Sequence, residues 1–212
     1  MPTSDDGREI GDVRHFDFFS RFYDVLVPSA DTDTLERGID EAERGVERVL
    51  DLAGGTGRVG RAIVGVGRDV VVVDASSGMV RQSPVPGVEG DASLLPFKDC
   101  SFDAVVCADA LHHIADVKGV FDEVGRVLRE GGVFVVSEFD PTTLRGRFLT
   151  RAEHLVGFDS VFYTPDELEI MTEDAGMSTR RIEDGFKYTL SGVNQTVRDI
   201  KILYNTSCYA DR

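Results

Sequence analysis

The stretch Val49-Leu50-Asp51-Leu52-Ala53-Gly54-Gly55-Thr56-Gly57-Arg58-Val59-Gly60 restricts the chain more than any other. It starts as the end of an apolar strand, breaks into glycines and resumes with apolar residues at Val59, Ile63 and Val64, a helical period. Gly55, Gly57 and Gly60 match G-x-G-x-x-G. In that pattern a tight turn lets the backbone approach a nucleotide-like ligand at a helix N-terminus, inside a β-α-β unit. Asp74 closes the next apolar run, Val70–Val73, where a carboxylate can accept both hydroxyls of a ribose.

The same loop serves a nicotinamide dinucleotide or S-adenosylmethionine (SAM). Asp51, four residues before Gly55, favours SAM. A carboxylate there crowds a pyrophosphate but suits a cationic amino-acid end, held directly or through water. A loop whose glycines only let helix and sheet pack closely is the plainer alternative.

Asp51-Leu52-Ala53-Gly54-Gly55-Thr56-Gly57 resembles the first motif of the class I SAM-dependent methyltransferases. The wording is closest to the ubiquinone/menaquinone C-methyltransferases, with Ala53 in place of the more usual glycine. Phe16-Asp17-x-x-Ser20-x-x-Tyr23-Asp24 resembles the segment of that family that lids the cofactor, with Tyr23 against its methionine end. Gly90-Asp91-Ala92-x-x-Leu95-Pro96-Phe97 resembles its adenine-binding motif. The resemblance implies SAM as cofactor, held along Tyr23, Asp51, Ala53, Gly55, Thr56, Gly57, Asp74, Ala75, Asp91, Ala92 and Ala108.

Apolar runs alternate with helical periods in the order β-α-β-α-β-α-β-α-β, which right-handed crossovers fold into a doubly wound parallel sheet. Strands are expected over 46–52, 70–74, 88–92, 101–107 and 133–138, and helices over 33–48, 77–82, 116–130 and, after Pro165, to Ala175. Segments 178–184 and 200–206 are expected to pair as a closing hairpin. By the resemblance the sheet is seven-stranded and mostly parallel, with a final antiparallel strand. Residues 186–199 carry no clear pattern.

A chain of 212 residues is most simply one domain. Here that domain spans 13–212 after a disordered acidic 1–12, with lids at 13–30 and 139–163. No run reaches the ~20 apolar residues that cross a bilayer, and residues 1–12 are too acidic for a signal peptide. Cys100, Cys107 and Cys208 have no C-x-x-C spacing, so free thiols in a reducing cytoplasm are expected. There are 38 acidic residues against 23 basic, of which only four are lysines. Self-repulsion of that size is screened within about 3 Å at molar salt, and arginine is the more weakly hydrated cation. A salt-accumulating cytoplasm fits that balance, and an acidic mesophilic enzyme is the alternative. Without a basic stripe to meet phosphates, nucleic acid is not an expected partner.

Methyl acceptors meet the cofactor above the ends of the fourth and fifth strands. Candidates there are Asp109, His112, His113 and Glu138. His112 stands where the quinone enzymes carry an arginine, and an imidazole is the better direct base. The alternative is that both histidines pack under the next helix. Phe16, Phe18, Phe19 and Phe22, with Phe148, Leu149 and Leu155, are expected to wall an apolar acceptor pocket, and Arg145, Arg147 and Arg151 to orient an acidic head group. The implied reaction is methyl transfer to a small, partly apolar acceptor such as a quinone precursor. An NAD(P)-dependent oxidoreductase and a SAM-binding module without catalysis are the competing readings. No His/Asp/Glu group has metal-ligand spacing, so no metal is expected, and the oligomeric state is left open.

Overall fold

The computed structural model describes residues 31–195 apart from 66 and 156. In chain order these form α1 (Thr32–Ile39), β1 (Arg48–Leu52), α2 (Arg58–Val64), β2 (Asp69–Asp74), α3 (Ser77–Val80), β3 (Gly87–Glu89) and β4 (Phe102–Ala108). A 3-10 turn at Leu111–His113 leads to α4 (Val117–Val127), β5 (Leu128–Phe139), α5 (Leu144–Leu155), α6 (Pro165–Asp174), β6 (Met177–Glu183) and β7 (Lys187–Asn194). One seven-stranded sheet runs in the order β3-β2-β1-β4-β5-β7-β6. Strands β1 to β5 pair in parallel, and β7 runs antiparallel to both β5 and β6. This is the doubly wound, Rossmann-like class I methyltransferase architecture that the sequence implies.

The strands divide their side chains between two cores, because alternate residues of a strand face opposite ways. Leu50, Leu52, Val105 and Cys107 join Val120, Phe121 and Val124 of α4 and Leu168 of α6 on one face. Val49, Ala104, Val106 and Val135 join Leu35 and Ile39 of α1 and Ile63 of α2 on the other. With both faces covered, β4 is a continuous apolar run. Asp116 caps α4 by accepting from Gly119 N, and Thr164 with Glu167 forms a full capping box at α6.

Four element boundaries differ from expectation, each for a local reason. The first helix stops at Ile39, because the N–H groups of Glu47 and Arg48 donate to Asp103 Oδ2 at 3.1 and 2.9 Å and draw that segment out as strand. Helix α4 stops at Val127, since Leu128 already pairs with Phe102 across the sheet. Gly131, just past the expected helix end, has φ +71 but lies inside β5 where the register shifts. Strand β3 is only Gly87–Glu89, leaving Asp91 and Ala92 in the loop beyond it. Among the described residues the last strand is Lys187–Asn194, in a segment with no expected element, and the strand expected over 200–206 lies outside them. It is buried between β5 and β6 on both faces, the polar Thr189 and Ser191 included.

Cys107 is a buried free thiol, whereas Cys100 is disulfide-bonded, so the expectation of free thiols throughout is corrected there. Among the described residues no helix is long and apolar enough to cross a membrane.

Candidate active site

The carboxyl ends of β1, β2, β4 and β5 bring the motif residues to one edge of the sheet, where open α/β folds bind ligands. At the end of β1 the chain enters left-handed geometry at Ala53 (φ 51), Gly55 (φ 57) and Gly57 (φ 73). Beneath this loop Asp51 is fully buried, and its Oδ2 accepts the Gly60 N–H at 2.8 Å. A Cβ at Gly54 would collide with that carboxyl group, and one at Gly60 would come within 3.1 Å of Oδ2. Two glycines of the motif are thus needed to house Asp51. Burial pushes the Asp51 carboxyl up to about 7, helped by the nearby Asp74 and opposed by the Gly60 N–H.

Asp74, at the end of β2, ties the loop from its other side. Its Oδ2 accepts Gly55 N and its Oδ1 accepts Ser76 N, both at 2.8 Å. Thr56 is buried within the turn, while Ala75 and Ala108 are half-buried at the ends of their strands. Ala92 is buried, and the exposed Asp91 accepts from Ser93 N and Ser93 Oγ through Oδ1. Tyr23 and the phenylalanines from 16 to 22 lie outside the described residues.

Beyond β4 the backbone turns at Asp109 (φ 56), a conformation that strains a residue other than glycine. Lys187 Nζ donates to Asp109 Oδ2 at 2.8 Å and lies 5.5 Å above the Phe139 ring. Burial raises the Asp109 carboxyl above its usual range against the pull of Lys187. His112 follows, almost fully buried, with Nδ1 2.6 Å from Glu138 Oε2. Glu138 Oε1 accepts the N–H groups of Ala110 and Leu111 at 3.1 and 2.7 Å. Burial would by itself raise this carboxyl, yet His112 and the Leu111 N–H hold it below its ordinary value. Ionised Glu138 can only accept, so the proton of the pair sits on Nδ1. Burial disfavours the imidazolium, but Glu138, then Glu153 and Asp109, outweigh it and raise the His112 pKa.

The segment after β5 closes over this pair. Phe162 stacks on His112 at 4.4 Å and 14°, and Val161 N donates to the His112 carbonyl at 2.8 Å. Ser160 Oγ lies 3.1 Å from His113 Nδ1. Glu153 of α5 brings Oε1 to 3.9 Å from His112 Nε2. Among the described residues two buried side-chain oxygens lack a hydrogen-bond partner, Asp109 Oδ1 and Glu153 Oε2, and both carboxylates act on His112. His112, His113 and Glu153 offer donor atoms within 4.8 Å of one another. Tertiary folding thus assembles a possible ligand set where the spacing in sequence had none.

One expectation for the cover is corrected. Phe148 and Leu155 of α5 do not wall a pocket, being 75% and 87% exposed on the outer face of the helix. Lys187 and Phe162 gave no sign in the sequence, because their partners lie 78 and 50 residues away.

The edge as a whole is anionic. The Cys107 thiol, in the middle of β4, is pushed up by burial and then by Glu138, Asp51, Asp109 and Asp74. Carboxylates at the ends of β1, β2, β4 and β5 suit a ligand bearing a sulfonium and an ammonium better than a pyrophosphate. The residues present therefore fit SAM, and the nicotinamide reading has no support.

A family model described as a methyltransferase domain matches residues 50–136. A demethylmenaquinone methyltransferase of Mycobacterium sp. (strain KMS) is 35% identical over 188 residues, 79% of this chain and 81% of that one. Among solved structures, the methyltransferase in complex with the Haloferax volcanii Trm112 methyltransferase activator matches with a TM-score of 0.73 at 19% identity, over 85% of this chain and 98% of that one. Magnesium protoporphyrin IX methyltransferase from Synechocystis PCC 6803, solved with S-adenosylhomocysteine, matches with a TM-score of 0.64 at 18% identity, over 86% and 97%. Fold, loop chemistry and relatives agree: the chain belongs to the class I SAM-dependent methyltransferases.

Proposed function

We propose that this methyltransferase acts on a small, partly apolar acceptor with an acidic hydroxyl, of the quinol class, and that His112 receives the hydroxyl proton. The demethylmenaquinone methyltransferase relative supports the quinol class. The observation that carries the reading is the buried Glu138–His112 pair at 2.6 Å, flanked by the unpartnered oxygens of Asp109 and Glu153. When bound, SAM supplies an electrophilic methyl group on a sulfonium. Asp51, Ala53, Gly55, Thr56, Gly57, Asp74, Ala75, Asp91, Ala92, Ala108 and Tyr23 are the residues proposed to hold it.

Glu138 fixes the Nδ1–H tautomer, which leaves Nε2 as the basic nitrogen. A hydroxyl at Nε2 gives up its proton as the acceptor becomes an electron-rich phenolate, and Glu138 stabilises the imidazolium left behind. Phe162, Phe139 and Phe158 offer aromatic surface around the two histidines and suit a flat ring better than a polar metabolite. Because Phe162 and Glu153 now cover His112, the acceptor enters by displacing residues 139–163, which act as a lid. Location in a salt-rich cytoplasm is part of the same proposal and rests on the charge balance.

The test is turnover of a reduced demethylated naphthoquinone by the parent and by His112→Ala, with SAM affinity measured in parallel. Loss of turnover at unchanged SAM affinity is expected. Equal turnover would remove His112 from the chemistry, and no turnover by the parent would remove the quinol class.

A further inference from the structure

Helix α5 covers the His112 site and carries apolar residues on its outer face. Leu144, Phe148 and Leu155 are 86%, 75% and 87% exposed. At 100° per residue they fall within about 40° of one another around the helix axis. Arg145, Arg147 and Arg151 are exposed beside them, and none pairs with a described carboxylate. The only acid of the helix, Glu153, turns the opposite way, toward His112. Gly146 fixes that orientation, because a Cβ there would collide with the Asp140 carbonyl.

Three arginines in seven residues, none paired with a described carboxylate, stand out in a chain of net charge −15 with only four lysines. Elsewhere acids dominate the chain, with 38 acidic against 23 basic residues in all. An apolar stripe bordered by arginines is instead the composition of a helix that lies in a lipid interface. Arginines can span that boundary, their stems against acyl chains and their guanidinium groups at phosphates. Fields decay over about 10 Å at 0.1 M salt, so an anionic surface touching α5 meets its local positive charge before the distant acids of the chain.

We propose that the outer face of α5 docks on an anionic lipid bilayer, so that an apolar acceptor reaches His112 from the membrane. The partner is the lipid surface, identified by the pairing of an apolar stripe with basic flanks. An α-helix is about 10 Å across, so a bilayer against the outer face lies one helix thickness from the imidazole on the inner side. The acceptor's route rests on the quinol reading; the docking itself does not.

The test is sedimentation of the full chain with vesicles of phosphatidylcholine alone and of phosphatidylcholine mixed with phosphatidylglycerol. No acceptor is added, so the result is independent of whether a quinol is the substrate. The parent is expected to bind the mixed vesicles and to leave the neutral ones largely unbound. Replacing Arg145, Arg147 and Arg151 by Gln should lower the partition coefficient roughly a hundredfold, at about 1 kcal/mol for each arginine. Phe148→Glu with Leu155→Glu should lower it by at least roughly tenfold. These side chains are exposed, so SAM affinity should be unchanged in both variants, which certifies their fold. Equal binding to both vesicle types, or variants that bind like the parent, would overturn the proposal. So would a parent dimer that the two glutamates dissociate, since the face would then belong to a second copy of the chain.

Discussion

His112 Nδ1 lies 2.6 Å from Glu138 Oε2, while the other oxygen of that carboxylate holds the N–H groups of Ala110 and Leu111. One buried carboxylate therefore fixes both the ring and the turn that carries it. Glu138→Ala would leave the imidazole and two amides without their acceptor. It should destabilise the fold by about 3–5 kcal/mol, the usual result of removing one partner of a buried pair, and chemical denaturation would measure it.

The same pair sets a pH dependence. Folded His112 titrates above its ordinary 6.5 and folded Glu138 below its ordinary 4.5. A raised histidine stabilises fully below its unfolded pKa and loses that contribution as pH rises through the folded one. A lowered carboxyl stabilises above its unfolded pKa and loses the contribution as pH falls through the folded one. Their joint contribution is thus greatest between those limits. With His112 as the proposed base, turnover requires the neutral imidazole and should climb with pH along a limb centred above 6.5. Glu138→Gln should move that limb to lower pH, and a limb at the same place in both proteins would dissociate the profile from His112.

Asp51 has the opposite sign. Its carboxyl is raised from 3.8 to about 7, so the folded chain binds a proton more tightly than the unfolded one. Stability of the ligand-free protein should fall as pH rises between those values, by on the order of 4 kcal/mol if no other group compensates. Asp51→Asn should flatten that slope, raise the melting temperature at pH 8 by several degrees, and weaken SAM binding. Thermal melts and calorimetry of the two proteins check all three.

Asp74 joins Gly55 N to Ser76 N across the loop and is proposed to meet the ribose. Asp74→Ala should weaken SAM by roughly 1.5–3 kcal/mol, the value of hydrogen bonds to a charged group. Unchanged calorimetric affinity would exclude Asp74 from the ligand.

The charge balance makes a prediction for the whole chain. With a net charge of −15 and few lysines, screening should raise the melting temperature as KCl increases toward molar levels. A midpoint that stays flat or falls would favour an acidic mesophilic protein.

The sequence by itself determined the parallel strands and the glycine loop, which depend on neighbours in the chain, and through the family resemblance the ligand class. An apolar strand followed by Gly54-Gly55-Thr56-Gly57 can only turn tightly, and Asp51 and Asp74 lie near the carboxyl ends of adjacent parallel strands. It missed β7, whose alternation Tyr188-Thr189-Leu190-Ser191 spans only four residues before Gly192. Only the tertiary structure decided that Asp51 lies beneath the loop, that Glu138 holds His112 from 26 residues away, and that Lys187 reaches Asp109 from 78. It also turned Phe148 and Leu155 outward, although the helical period that groups them was legible. A period tells which side chains share a face; what that face meets depends on how the helix is anchored, here by Gly146 against the Asp140 carbonyl.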